Sequence, residues 1–333
     1  MIDYDNFVDV ENHLAWIPFH FLPGNGSLPL GESPEGGELA KLVCRPDSYI
    51  ARDMLRRAVL DKDHKRALHR LGIAMHVYAD TFAHQGFVGS LSPANRAQAL
   101  TSRDSALDDR IKTYTKKELW MAIKGNVKTF GQFARQVIGL VWREKRWPGE
   151  FVANFMRDRP VGHAAVDVFP DQPYLSWQYT DFNNQLVTRD NPATFIKAME
   201  MMVRAMQAWR AGDQTMNLEV QTGVGHADRT VMDRLFRKSV QIDGEERRQD
   251  WLAAIGRGEF SFGSEVPIYV GKGAGSWKES ALGTIAAIDS GLERFQYTEP
   301  FLTSDWKLFH DALQIHRSDV VHELLPRYGI CAA

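Results

Sequence analysis

The sequence lacks most of the features that would assign a function quickly. It has two cysteines, Cys44 and Cys331, far apart and in no Cys-x-x-Cys pair. That excludes a cysteine-based zinc site and argues against a disulfide framework. No apolar run approaches the ~20 residues of a membrane span. The opening stretch MIDYDNFVDVENHLAWIPFHF carries acids where a secretory leader needs lysine or arginine. The expected compartment is therefore the cytoplasm, with signal-independent export left open. An excess of one charge is missing too. The formal net charge is −2, so no global field draws nucleic acid. Local basic clusters, Lys116-Lys117 and Arg143 to Arg146, sit among acids and aromatics and read as solvated helix faces. There is no Gly-x-Ser-x-Gly, no phosphate-binding loop and no dinucleotide fingerprint. GKGAGS at 271–276 lacks the ending a phosphate loop needs and reads as a turn.

What is present describes a mainly helical globular protein. The 333 residues are 44% hydrophobic and 25% charged, as in folded soluble chains. Residues 22–37 are rich in Gly, Pro and Ser and read as a loop. A helix is expected after Pro46-Asp47-Ser48, with Asp47 or Ser48 as its cap, and another from about Lys62 to Gln85. Helical spacing continues through 93–111 and 115–142. A short helix fits between Pro160 and Pro173, and a long one runs from Asn191-Pro192 to Gly212. Further helices fit 229–241, 244–257 and 304–325. A short β-hairpin or extended segment is expected near 258–280, where five glycines interrupt alternating residues. The whole reads as one helical domain over 1–333. A subdivision into a metal-binding core (1–215) and a C-terminal helical extension (216–333) is the alternative.

The chemistry is concentrated in HRLGIAMHVYADTFAHQGF at 69–87. His69, His76, Asp80 and His84 recur at steps of seven, four and four, which return to nearly the same helix face. The surrounding residues are apolar, so the stripe should be buried or nearly so. Burying imidazoles and a carboxylate is costly unless they are paired, and a metal ion pairs them all. Nitrogen and oxygen donors suit zinc, and also iron or manganese. One straight helix reaches only one flank of an ion, so further ligands must come from elsewhere. His163 and Asp167 repeat the four-residue spacing on the short helix between prolines, with Asp171 close behind. His13 and His20 flank LAWIPF and could add donors from the N-terminal segment. The expected ligands are thus His76, Asp80, His84, His163 and Asp167, with His69, His13 and His20 as further candidates. Tyr174, Trp177 and Tyr179 read as core packing or as the lining of a cleft. His310, His316 and His322 are spaced by six, which points them in different directions on a helix, and they read as structural.

Two resemblances follow from these residues. HVYADTFAHQ, PDQPYLSW, FHFLPGNG, CRPDS and LLPRYGICAA resemble blocks of an uncharacterised bacterial family, across most of the chain. More distantly, the order His76, Asp80, His84, His163, Asp167 is similar to that of zinc-dependent phospholipase C and the P1-type nucleases. Here the step from Asp80 to His84 is shorter than in those enzymes. The likeness implies a mainly helical fold, a zinc cluster and phosphoester hydrolysis.

The expected function is a metal-dependent hydrolase, holding one to three divalent ions, most readily Zn²⁺. Its substrate would be a small-molecule or lipid phosphoester such as a phospholipid or nucleotide. Asp80 could bridge two ions, and Asp171 could act as general base or steady a ligand. Two rivals stand beside this reading. One is a metal-stabilised toxin or interaction protein with a closed site and no hydrolase activity. The other is a metal-dependent amide or ester hydrolase.

Overall fold

Capping and spacing account for most of the helices. The protein's structure, a computed structural model, describes residues 13–111, 113, 162–271, 273–285 and 299–331. The helix expected at 115–142 and both basic clusters lie outside the described residues. The described chain begins with α1 (His13–Phe19), which contains Pro18. The glycine-rich loop follows, then α2 (Gly37–Leu42). Ser48 caps α3 (Tyr49–Leu60): its hydroxyl accepts from Ala51 N at 3.2 Å, satisfying an amide with no partner inside the helix. Asp47 does something else. Its carboxylate accepts from Arg52 and from the buried Tyr78 hydroxyl, tying α3 to α4 (Ala67–Ala83).

The sheet lies elsewhere than the sequence suggests. Three strands, β1 (Gln98–Ser102), β2 (Ser176–Thr180) and β3 (Leu186–Asp190), pair antiparallel in the order β1-β2-β3. The helix expected over 93–111 is interrupted by a 3-10 turn, Pro93–Asn95, and by β1. In β2 the side chains alternate: Trp177 and Tyr179 are buried and Gln178 is exposed. Trp177 lies opposite Arg189 in the register. That alternation in SWQYTDFNNQLVTRD was a readable hairpin signal. The region 258–280 forms no strand among its described residues. It runs as turns and irregular chain up to the helix that begins at Trp277, because its glycines and Pro267 give no continuous ladder.

Beyond the sheet the helices return close to their expected bounds. Asp190, rather than Asn191, caps α5 (Asn191–Ala211). Pro192 lies in its first turn and Gly212 ends it at φ 71°. Then come α6 (His226–Lys238), α7 (Gly244–Gly256), α8 (Trp277–Leu282) and α9 (Asp305–Ser318). A π-helical stretch, Asp319–Leu324, leads into α10 (Leu325–Arg327). No described helix is long and apolar enough to cross a membrane.

α4 packs against α3, α5, α9 and α1. Its inner side joins a core that includes Ile50, Leu55, Val77, Tyr78, Met201 and Leu324. A second apolar cluster gathers Phe21, Phe87, Val166, Phe169, Trp177 and Tyr179 around the sheet. The C-terminal end of α4 lies where the two meet: Leu22 and Phe82 belong to the first, Phe21 and Phe87 to the second. Burying each such side chain contributes roughly 1.5–3 kcal/mol before entropy is subtracted. The end of α4 is therefore among the most firmly held points of the described chain.

Candidate functional site

The stripe on α4 runs from solvent into the interior rather than lying buried along its length. The side chain of His76 is 54% exposed, that of Asp80 17% and that of His84 7%. The apolar positions between them form the helix's inner side, which leaves this edge open to partners from other segments. Two come from distant parts of the chain. His20, just past α1, sets Nδ1 3.0 Å from Asp80 Oδ2, while His76 Nε2 lies 3.5 Å from the same oxygen. His84 Nε2 lies 3.2 Å from Asp171 Oδ1, and His163 Nε2 lies 3.4 Å from Asp171 Oδ2.

Two groups of donors result: His20–His76–Asp80 and His84–His163–Asp171. Within each, one ligand atom per residue lies within 4.8 Å of the others, close enough to share a metal ion. The groups adjoin, since His84 Nδ1 is 3.8 Å from Asp80 Oδ2. The imidazole rings of His84 and His163 are 4.9 Å apart, and those of His20 and His76 are 5.1 Å apart. Phe21 stacks on His84 at 4.6 Å and shields that side from water.

Hydrogen bonds set the tautomers in the second group. His84 Nδ1 donates to the His20 carbonyl at 2.7 Å, and His163 Nδ1 donates to the Asp167 carbonyl at 2.7 Å. Each ring therefore turns Nε2 toward Asp171. A ligand histidine is commonly held this way, by its second nitrogen on a backbone carbonyl. Electrostatics favour positive charge among these donors. Burial pulls the His84 imidazole down, yet the hydrogen bond it donates to Asp171 and the charges of Asp80 and Asp171 outweigh it, holding the group up at about 9. Burial pushes Asp171 up, but His163 and His84 overcome it and hold the carboxyl down at about 2. Burial lowers His76 and His163, and nearby carboxylates only partly oppose it.

Not every expected ligand arrives. Asp167 does not join the cluster. His163 and Asp167 are not on one helix: the chain makes two 3-10 turns, Ala164–Val166 and Phe169–Asp171, with Asp167 between them at φ 54°. That break points the Asp167 carboxylate at Val168 N (2.8 Å) and leaves only its carbonyl facing His163. Asp171 stands where Asp167 was expected. His69 is also elsewhere. It sets Nε2 3.1 Å from Asp305 and lies edge-on to Trp277, because a seven-residue step on α4 carries it two turns back, under α9. The side chain of His13 lies outside the described residues. Trp177 and Tyr179 are core, 2% and 4% exposed, and do not line a cleft. Of the C-terminal histidines, His316 is buried and bonded to the Pro18 carbonyl at 2.9 Å. Burial pushes it down to about 4, so it stays neutral and steadies the turn that presents His20.

Residues the spacing argument missed also belong here. Phe21 stacks on His84, and Arg189 and Asn191 hold the backbone on either side of the site. Asn191 was visible only as a helix start and Arg189 only as a charge before it. Nothing local marked either as buried.

Residues 1–324 match the model of a family described as a family of unknown function (DUF6765), and the chain belongs to that family. No curated protein and no solved structure matches it.

Proposed function

We propose that this protein is a metal-dependent hydrolase acting on a phosphoester. One observation carries the reading: two three-donor groups built of imidazole and carboxylate lie side by side, with Asp80 reaching toward both. Three protein donors leave a tetrahedral ion one open position, the pattern of catalytic rather than structural zinc. The site also opens outward, since the His20, His76 and Asp171 side chains are 41%, 54% and 42% exposed. A closed structural site would bury them. The order His76, Asp80, His84, His163 still resembles that of zinc-dependent phospholipase C and the P1-type nucleases, with Asp171 in place of Asp167, and supports the same chemistry.

Divalent ions in such a pair supply Lewis acidity to a phosphoryl oxygen and a water acidic enough to react near neutral pH. The chain's own residues do the rest. His20, His76 and Asp80 would hold one ion, and His84, His163 and Asp171 the other. Phe21 excludes water from the inner side of His84, which strengthens each charge interaction there. Asp171 turns Oδ1 to His84 and Oδ2 to His163, so both of its oxygens belong to the second group.

The test combines metal analysis with an activity panel. Protein stripped with chelator and reloaded with Zn²⁺, Mn²⁺ or Fe²⁺ should hold about two ions per chain. It should cleave a chromogenic phosphodiester, and Asp171→Asn should abolish that cleavage. Loaded protein that hydrolyses amides or carboxylic esters but no phosphoester would overturn the substrate class. Protein that takes up no metal would overturn the reading altogether.

A further inference from the structure

His84 and Asp171 are 87 residues apart in sequence, yet their ligand atoms meet within hydrogen-bonding distance. Something must fix the end of α4 and the 169–171 turn relative to each other. We propose that Arg189 and Asn191, at the junction of β3 and α5, are the positioning residues of the His84–His163–Asp171 group. The inference rests on the metal-centre reading above and extends it to residues that touch no ligand atom.

Arg189 is 5% exposed and its guanidinium spans the last turn of α4. Nη2 donates to the carbonyls of Phe82 (3.2 Å) and Ala83 (2.9 Å), and Nη1 donates to Gln85 (3.1 Å). These carbonyls bracket His84 and have no partner within the helix. A cation at a helix C-terminus also meets the favourable end of its dipole. Asn191 is fully buried and does the same for the other segment. Its Nδ2 donates to the carbonyls of Phe169 (2.7 Å) and Gln172 (2.8 Å), which bracket Asp171. The amide orientation is fixed, because Asn191 Oδ1 accepts from Trp177 Nε1 at 2.9 Å and an indole can only donate.

The two clamps share a frame. Residues two apart on an extended chain point to the same side. Trp177 lies opposite Arg189 across the sheet, with its ring 5.5 Å from the guanidinium, and also holds Asn191. Trp177, Arg189 and Asn191 thus join two ligand-bearing segments to one hairpin. None of the described hydrogen bonds joins His20, His76 or Asp80 to Trp177, Arg189 or Asn191, and the two groups meet only through His84, whose Nδ1 donates to the His20 carbonyl, so the clamps should act mainly on the His84–His163–Asp171 group.

Co²⁺ titration of metal-free protein tests this, since its visible bands report ligand geometry and the two groups should fill in separable phases. His76→Ala and His163→Ala assign the phases. In Asn191→Ala and Arg189→Gln, the phase that His163→Ala removes should weaken about 10- to 100-fold, and the phase that His76→Ala removes should hold. Arg189→Lys and Asn191→Ser, which keep part of the bonding, should fall between and cover the case where the harsher variants fail to fold. Hydrogen exchange on metal-free protein is the second arm. It should quicken at 82–87 for the Arg189 variants and at 168–175 for the Asn191 variants. Both phases intact, or both weakened equally, would overturn the proposal, as would unchanged exchange in those segments. A wild type that takes up no Co²⁺ would sink the metal-centre reading, and the exchange arm would still decide the clamps.

Discussion

His84 holds its proton more tightly than a free imidazole does, and that has a measurable consequence. In metal-free protein its proton neutralises the Asp171 carboxylate. The folded-state value is raised to about 9, against ~6.5 for an unperturbed histidine. The stability this pair contributes is therefore complete below ~6.5 and is lost as pH rises through about 9. Chelated protein should melt at progressively lower temperature across that window, and His84→Gln should remove the slope. Metal uptake by the same group should release a proton and tighten over the same range. A flat melting profile from pH 6.5 to 9 in the chelated wild type would contradict the ion pair. Asp167 and Asp171 give a second residue-scale contrast. Asp171→Ala should lose metal. Asp167→Gly keeps the carbonyl that holds His163 and suits the positive φ, so it should keep full metal content by elemental analysis.

At the scale of elements, α4 was legible and the segment that carries His163 and Asp171 was only half so. The stripe His76, Asp80, His84 could be read because four-residue steps on a helix fix direction whatever surrounds it. The same logic misplaced Asp167, since 163–171 is two 3-10 turns and not a helix. A run of nine residues is too short for periodicity to distinguish these. The close approach of this segment to Phe21 is a further constraint. A Cβ on Gly162 would lie 2.3 Å from Phe21 Cζ, and Gly162 sits at φ 51°. Gly162→Ala should therefore cost ~1–3 kcal/mol in urea unfolding. It should also weaken metal binding at His84, whose ring stacks on Phe21. Unfolding and metal affinity both equal to wild type would show that the Phe21 ring moves aside freely.

For the whole molecule, the C-terminal helices bear on the site. α9 packs against α4, and its His316 reaches back to the Pro18 carbonyl, 298 residues away in sequence. Metal bound at the α4 edge should therefore stabilise the chain as a unit. At a free ion concentration 100 times Kd, the gain is about 2.7 kcal/mol per site, a rise of several degrees in Tm. Chelator should reverse it. The rise should persist in His310→Ala and His322→Ala and vanish in the double variant His76→Ala/His163→Ala. A Tm indifferent to metal would mean that the donor groups do not load.

The sequence by itself determined the helical class, most helix ends, a cap at Asp47 or Ser48 and the α4 stripe, because each depends on residues within a few turns of one another. It also supplied His20, His163 and Asp171 as candidates, without their assignment to groups. Only the tertiary structure decided that His20 joins His76 and Asp80 while His163 and Asp171 join His84. It alone turned His69 to Asp305, moved the sheet to 98–102 and 176–190, and buried Arg189 and Asn191. Those outcomes depend on which distant backbone carbonyls need a donor and which apolar faces close over them. Such demands arise when segments meet, and no local spacing records them.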